Sequence, residues 1–156
     1  MGVSKNSMIG NAGEYYVCAE LCRRNILALI TPKNNPLFDI VASDPEGKRS
    51  VQMQVKTMPI NNKQGWKLGV DMTKKHNNPK VFVVLVNMHD QKPNDYYIYK
   101  YDDFAQRVSE VYKEYIFAKK KGGTPKKELK FRFFDFRYFK KKDHNRRNKW
   151  RLLGFE

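Results

Sequence analysis

Glu14, Asp39, Gln54 and Lys56 are the residues whose types and spacing could do chemistry together. Gln54 and Lys56 are separated by one residue in SVQMQVKT, so a strand would project both from the same face. Asp39 lies in the preceding strand-like run, LFDIVA, and Glu14 lies in a helical run, GNAGE, upstream of both. A hairpin can set Asp39 beside the Gln54–Lys56 face, and the helix can lay Glu14 over the same edge. Phosphodiester hydrolysis needs such a set. A hard divalent cation, Mg²⁺ or Mn²⁺, takes oxygen ligands, here Asp39, the Gln54 amide oxygen, the Val55 carbonyl and Glu14. Such an ion lowers the pKa of a bound water, and Lys56 offers a point charge to the crowded phosphate. Taken singly, each residue has a plainer reading. QVK is the polar face of an amphipathic strand, Asp39 a solvated edge residue, and Glu14 the capping-box partner of Asn11.

The elements that must position these residues are legible in outline. Residues 11–25 read as an amphipathic helix, with Tyr15, Val17, Cys18, Leu21 and Cys22 at helical spacing and Asn11 as its N-cap. A short apolar run, 26–31, precedes the turn-rich PKNNP. The runs 37–42 and 50–57, joined by DPEG, read as a hairpin. Residues 58–79 read as a long polar loop. VFVVLVNM, at 81–88, is a continuous β-branched run that suits a central strand, and YYIYKY, at 96–101, suits another. A helix is expected from Asp102 to about Ala118. The aromatic-rich tail reads as a strand near 129–134, a helical turn after it, and WRLLGF packing back onto the domain. The fold class expected is α/β, a mixed sheet flanked by helices, with residues 1–118 as the core and 119–156 as a basic extension on the same domain.

The formal net charge is +15, and 15 of the 31 basic residues fall within 118–151. A block this cationic repels itself unless a polyanion neutralises it, and nucleic acid is the commonest one. Candidate contacts are Lys33, Asn34 and Asn35 before the Asp39 strand, Lys119, Lys120, Lys121, Lys126, Lys127 and Arg132 in the tail, and Trp66 as a stacking platform. Lys33–Asn35 otherwise read as a turn, and Trp66 as a pin holding its loop to the core. No apolar run is long enough to span a bilayer, and no signal-peptide stretch opens the sequence, so the expectation is a cytoplasmic protein with no membrane role. A membrane-surface role for the tail ranks low, because the tail lacks a clean amphipathic helical face. Cys18 and Cys22 lack metal-knuckle spacing and read as reduced, buried apolar residues. His76, His89 and His144 have no partner at ligand spacing.

With Pro36-Leu37-Phe38-Asp39, then Gln54-Val55-Lys56, all preceded by helical GNAGE, the sequence resembles the PD-(D/E)xK nuclease superfamily. It is most similar to the branch with QxK in place of (D/E)xK, which includes a cyanobacterial intron-encoded homing endonuclease and small bacterial relatives. Archaeal Holliday-junction resolvases are similar in their helix-then-hairpin order. The resemblance spans about residues 8–101. It implies a restriction-endonuclease-like mixed sheet flanked by helices, Mg²⁺ use, and often homodimers. The function expected is a metal-dependent endonuclease acting on DNA ahead of RNA. The alternative is a nucleic-acid-binding protein on a nuclease fold that has lost catalysis, because Gln54 removes one carboxylate from the site.

Overall fold

The computed structural model describes residues 2–33, 35–118 and 120–155. Helix α1 runs Lys5–Cys22. The strands follow as β1 (Leu27–Ile30), β2 (Ile40–Ser43), β3 (Ser50–Met58), β4 (Gly65–Leu68), β5 (Val81–Asn87) and β6 (Asp95–Lys100). Helix α2 (Tyr101–Phe117), strand β7 (Arg132–Asp135) and the short helix α3 (Lys141–His144) complete the order. Five strands form a mixed sheet in the order β1-β2-β3-β5-β6, and β4 pairs with β7 in a second, two-stranded ladder. All contacts in the large sheet are antiparallel except β3 with β5. The expected α/β class with a mixed sheet between helices is what the chain adopts.

Side-chain alternation along β3 divides the interior in two. Val51, Met53 and Val55 face α1 and join Val17 and Leu21 in one core. The opposite face, which carries Gln54 and Lys56, continues into a second core beneath α2, with Met58, Val83, Leu85, Phe104 and Val108. As expected of a continuous apolar run, β5 is buried on both faces and lies between β3 and β6.

Four expectations need correction. Helix α1 begins two turns earlier than its apolar periodicity suggests, because the Ser4 side chain caps it by accepting from Ser7 N at 3.2 Å. Asn11 and Glu14 therefore sit inside the helix and form no capping box. Asp39 lies one residue before β2 rather than within it. Residues 58–79 are not a featureless loop: β4 and a 3₁₀ turn at Val70–Thr73 occupy much of the segment. Cys22 is exposed. Among the described residues no helix is long and apolar enough to cross a membrane.

The tail is tied down by a buried ion pair. Asp143, fully buried, accepts from Arg107 Nη2 at 2.9 Å, from Tyr99 Oη at 3.0 Å and from Lys140 N at 2.8 Å. Burial alone would push the Asp143 carboxyl up, but the bonds from Arg107, Lys140 and Tyr99 outweigh it and hold it below the usual carboxylate range. Further on, Asn148 N donates to Tyr96 O at 2.6 Å and Asn148 Oδ1 accepts from Tyr96 N at 2.9 Å, so the chain lies along the outer edge of β6. Trp150 and Leu153 then enter the α1-side core. Asp143→Ala takes from buried Arg107 its fully buried carboxylate, leaving it Tyr138 O and the partly exposed Glu110, and should cost about 3 kcal/mol in urea unfolding. Because the Asp143 carboxyl is held low, wild-type stability should fall with acidification through that depressed pKa, and the variant should lack this component.

Candidate active site

The hairpin β2–β3 parts at Asp39. In the ladder Ile40 opposes Met53, yet Asp39 N also donates to Met53 O at 2.8 Å. Two residues on one side thus face one on the other, the offset of a β-bulge, which bends a strand and re-aims its side chains. Thr31 fixes the bend from the other side: its N–H donates to Asp39 O at 2.9 Å and its hydroxyl to Phe38 O at 2.7 Å. Beyond the bulge, Val55 N donates to Asp39 Oδ2 at 2.7 Å. Strand N–H groups point within the plane of the sheet toward the neighbouring strand. The Asp39 carboxylate therefore lies in the gap that β2 has left beside β3, open to side chains from both faces.

From one face comes Glu14. A Cβ built on Gly13 would lie 1.8 Å from Thr57 Oγ1, so α1 rests directly on β3 and only glycine fits the contact. Glu14 follows at once, and its carboxyl is pushed up from the usual range, first by burial and then by the negative charge of Asp39. Lys33 opposes that rise: its ammonium lies 3.5 Å from Glu14 Oε2 and also donates to Asn11 Oδ1. On the other face are Gln54 and Lys56. Gln54 Nε2 donates to Leu37 O at 3.1 Å, which ties the side chain to the backbone two residues before Asp39. Its Oε1 is buried and has no hydrogen-bond partner. An enclosed acceptor without a donor is costly, and a cation is the natural group to satisfy it. The oxygens of Asp39, Glu14, Gln54 and the Val55 carbonyl make a donor set suited to a hard divalent ion.

Gln54 and Lys56 line a hollow of about 500 Å³ together with residues from 69–76. A larger hollow of about 710 Å³, between the start of α1 and residues 59–64, contains no carboxylate and offers no comparable chemistry.

Over 96% of its length the chain superposes on 93% of a bacterial homing endonuclease, I-Ssp6803I, with a TM-score of 0.58 and 16% sequence identity. The fold is restriction-endonuclease-like. An Archaeoglobus fulgidus Holliday junction resolvase, Hjc, gives a TM-score of 0.48 at 13% identity, covering 83% of this chain and 86% of that one. No protein-family model and no curated protein matches the sequence. Asp39 and Gln54-Val55-Lys56 lie where the two hairpin strands of this fold part.

Not every sequence-predicted contact survives. Trp66 is 3% exposed, donates from Nε1 to Val86 O at 3.2 Å and packs against Tyr97 and Phe136; it pins β4 to the core and cannot stack on a base. Arg132 stacks its guanidinium 3.6 Å from the Tyr112 ring centroid and donates from Nη1 to Leu129 O and Phe131 O, so the side chain is held against the protein. Asn35 builds a turn, its Oδ1 accepting from Leu37 N at 2.9 Å. Lys126 lies over the Tyr115 ring at 4.2 Å, while Lys120, Lys121 and Lys127 are exposed. Asn34 and Lys119 lie outside the described residues. Sequence reasoning missed Thr31 and Gly13, which position the carboxylates; the glycine of GNAGE, at a helix interior that disfavours glycine, was the available signal.

Alanine stabilises most helix interiors relative to glycine, but Gly13→Ala should cost about 1–3 kcal/mol through overpacking against Thr57, with partial recovery in Gly13→Ala/Thr57→Ala. Urea titration checks the sign. Glu14 has the opposite linkage to Asp143. Its raised pKa means stability is full below the ordinary carboxylate range and is lost as pH rises through the folded value. Metal-free Glu14→Gln should therefore melt higher than wild type at about pH 7, with the difference closing toward about pH 3.

Proposed function

We propose that this chain is a metal-dependent DNA endonuclease, with Glu14, Asp39, Gln54 and Lys56 as its working side chains. One observation carries the reading: the Asp39 carboxylate sits in the plane of the sheet on Val55 N, with Glu14 on one side and Gln54 and Lys56 on the other. The similarity in fold to a homing endonuclease over nearly the whole of both chains supports it.

Mg²⁺ or Mn²⁺ would be held by Asp39, Glu14, Gln54 Oε1 and the Val55 carbonyl, supplying Lewis acidity at a phosphoryl oxygen and a lowered pKa to a water. The chain does the rest. Val55 N and the bulge fix Asp39 in orientation, so that the carboxylate need not reorganise. The Gln54 amide is held by Leu37 O with its oxygen inward. Lys56 places a positive charge where the attacked phosphate gains negative charge. Lys33 pairs with Glu14, and it is exposed enough to move aside for a cation. Lys120, Lys121 and Lys127 add charge that draws the chain to a polyanion. The second reading, a binding protein that no longer cleaves, is favoured by one feature: Gln54 in place of a carboxylate, which lowers the negative charge available to a cation.

Nicking of supercoiled plasmid with Mg²⁺ or Mn²⁺ decides between them. The endonuclease reading expects cleavage that EDTA abolishes, a drop of about 10²–10³-fold in Lys56→Ala, and none detectable in Asp39→Asn. Mn²⁺ should raise the melting temperature of wild type and not of Asp39→Asn. If wild type and Lys56→Ala nick alike, the endonuclease reading fails. If wild type is silent with every metal but binds DNA with a steep salt dependence, and Gln54→Glu gains cleavage, the second reading holds.

A further inference from the structure

The hollow beside Gln54 and Lys56 has a second wall that the catalytic reading does not use. Residues 69–76 form it, and they are built in rather than draped. Met72 is buried in the α2-side core and accepts from Tyr101 Oη at 3.6 Å through its sulfur. The Asp102 carboxylate receives two successive backbone N–H groups, His76 N at 2.7 Å and Asn77 N at 3.0 Å. The His76 ring lies 4.0 Å from the Tyr101 ring, centroid to centroid. These anchors fix a short arm, Lys74-Lys75-His76, with its two lysines across the hollow from Lys56. Lys74 is held by Asp71 at 2.7 Å, and Lys75 is exposed and in no ion pair among the described residues. Three lysines thus face the hollow against one carboxylate, Asp71.

Such a wall has a plain electrostatic consequence. Lysines gathered at the rim of a hollow, with their backbone locked and only Lys74 in an ion pair, itself an exposed one with Asp71, form a site for an anion. A nucleic acid strand presents anions in series. If Lys56 meets the phosphate that is attacked, the next phosphate along the same strand falls within the same hollow and meets the arm. From these observations we infer that Lys74 and Lys75 form a second phosphate subsite, which grips the phosphate neighbouring the one held at Lys56 and so sets the path of the strand from β3 toward the start of α2. This inference rests on the reading of the Asp39–Lys56 site as one that takes nucleic acid phosphates.

Thymidine 3′,5′-bisphosphate carries two phosphates across one nucleoside, and thymidine 5′-monophosphate carries one, so the pair tests the subsite directly. Titrations followed by NMR at low salt should show the bisphosphate binding wild type about tenfold more tightly than the monophosphate, with amide shifts at both Lys56 and Lys75. Lys74→Ala/Lys75→Ala, two exposed changes that leave the core untouched, should bring the bisphosphate down to the affinity of the monophosphate and leave the monophosphate itself unchanged. Lys56→Ala should weaken both. Equal affinities for the two nucleotides in wild type, or a double variant that keeps the preference for the bisphosphate, overturn the second subsite while plasmid nicking by wild type leaves the endonuclease reading standing. Failure of wild type to bind either nucleotide or to nick DNA overturns both.

Discussion

A single hydrogen bond, from Val55 N to the Asp39 carboxylate, organises the site. In a regular hairpin that N–H would meet a backbone carbonyl of the partner strand. Here the partner has already bent away, and a side chain takes its place. The substitution satisfies a donor that would otherwise be lost, and it fixes an anion in the plane of the sheet. An anion in that position is reachable from above and below. This is why a helix on one face can deliver Glu14 while alternate residues of β3 deliver Gln54 and Lys56 from the other. The bulge that makes the opening is held by ordinary bonds: Asp39 N to Met53 O, and Thr31 to the carbonyls of Phe38 and Asp39. Local backbone geometry, rather than any unusual residue, creates the gap.

The basic C-terminal segment imposes a second constraint. With 15 of the chain's cationic residues between 118 and 151, it would repel itself if it were free. The fold answers by giving part of that charge internal work. Arg132 and Lys126 lie over the rings of Tyr112 and Tyr115, and the tail's one buried anion, Asp143, anchors it to Arg107 of α2 in a pair completed by Tyr99. Phe134 enters the α2-side core, and Phe136, Tyr138 and Phe139 pack against it. The tail is thus apolar inward and cationic outward, and the charge that remains exposed is available to an outside polyanion.

How far the sequence could be read follows from the range over which each signal acts. The Asp39 and QxK pieces were legible because their geometry is local: a hairpin with a four-residue turn sets Asp39 opposite the Gln54 end of β3, and alternation assigns the faces. The continuous apolar run of β5 was legible for the same reason. The β4–β7 ladder was not, because Trp66 opposes Phe134 across a separation that no short pattern encodes. Trp66 itself shows the cost: as a residue in an apparent loop it suggested a base platform, and only its distant partners make it core. Asn35 and Arg132 fail similarly, since a turn acceptor and a ring-stacked guanidinium look like free polar groups in sequence. The start of α1 was hidden because its first turn, Lys5–Met8, is exposed and carries no apolar stripe, leaving Ser4 as the signal.

Gln54 sharpens the electrostatic argument. Glu14 is already pushed toward its protonated form by burial and by Asp39, with Lys33 acting against it. A carboxylate at position 54 would add like charge to this end of the hairpin, in an enclosed place where water cannot screen it well. Glutamine keeps an oxygen at that position without the charge. Its Oε1 is then left buried and unpartnered, at a cost of about 1–3 kcal/mol for a neutral acceptor. An enclosed, neutral and unsatisfied oxygen on the same face as Lys56 is poorly explained by stability alone. On the proposed endonuclease reading it would meet a cation bound together with a phosphate, where each anionic oxygen removed from the protein leaves more of the ion's charge to act on the substrate.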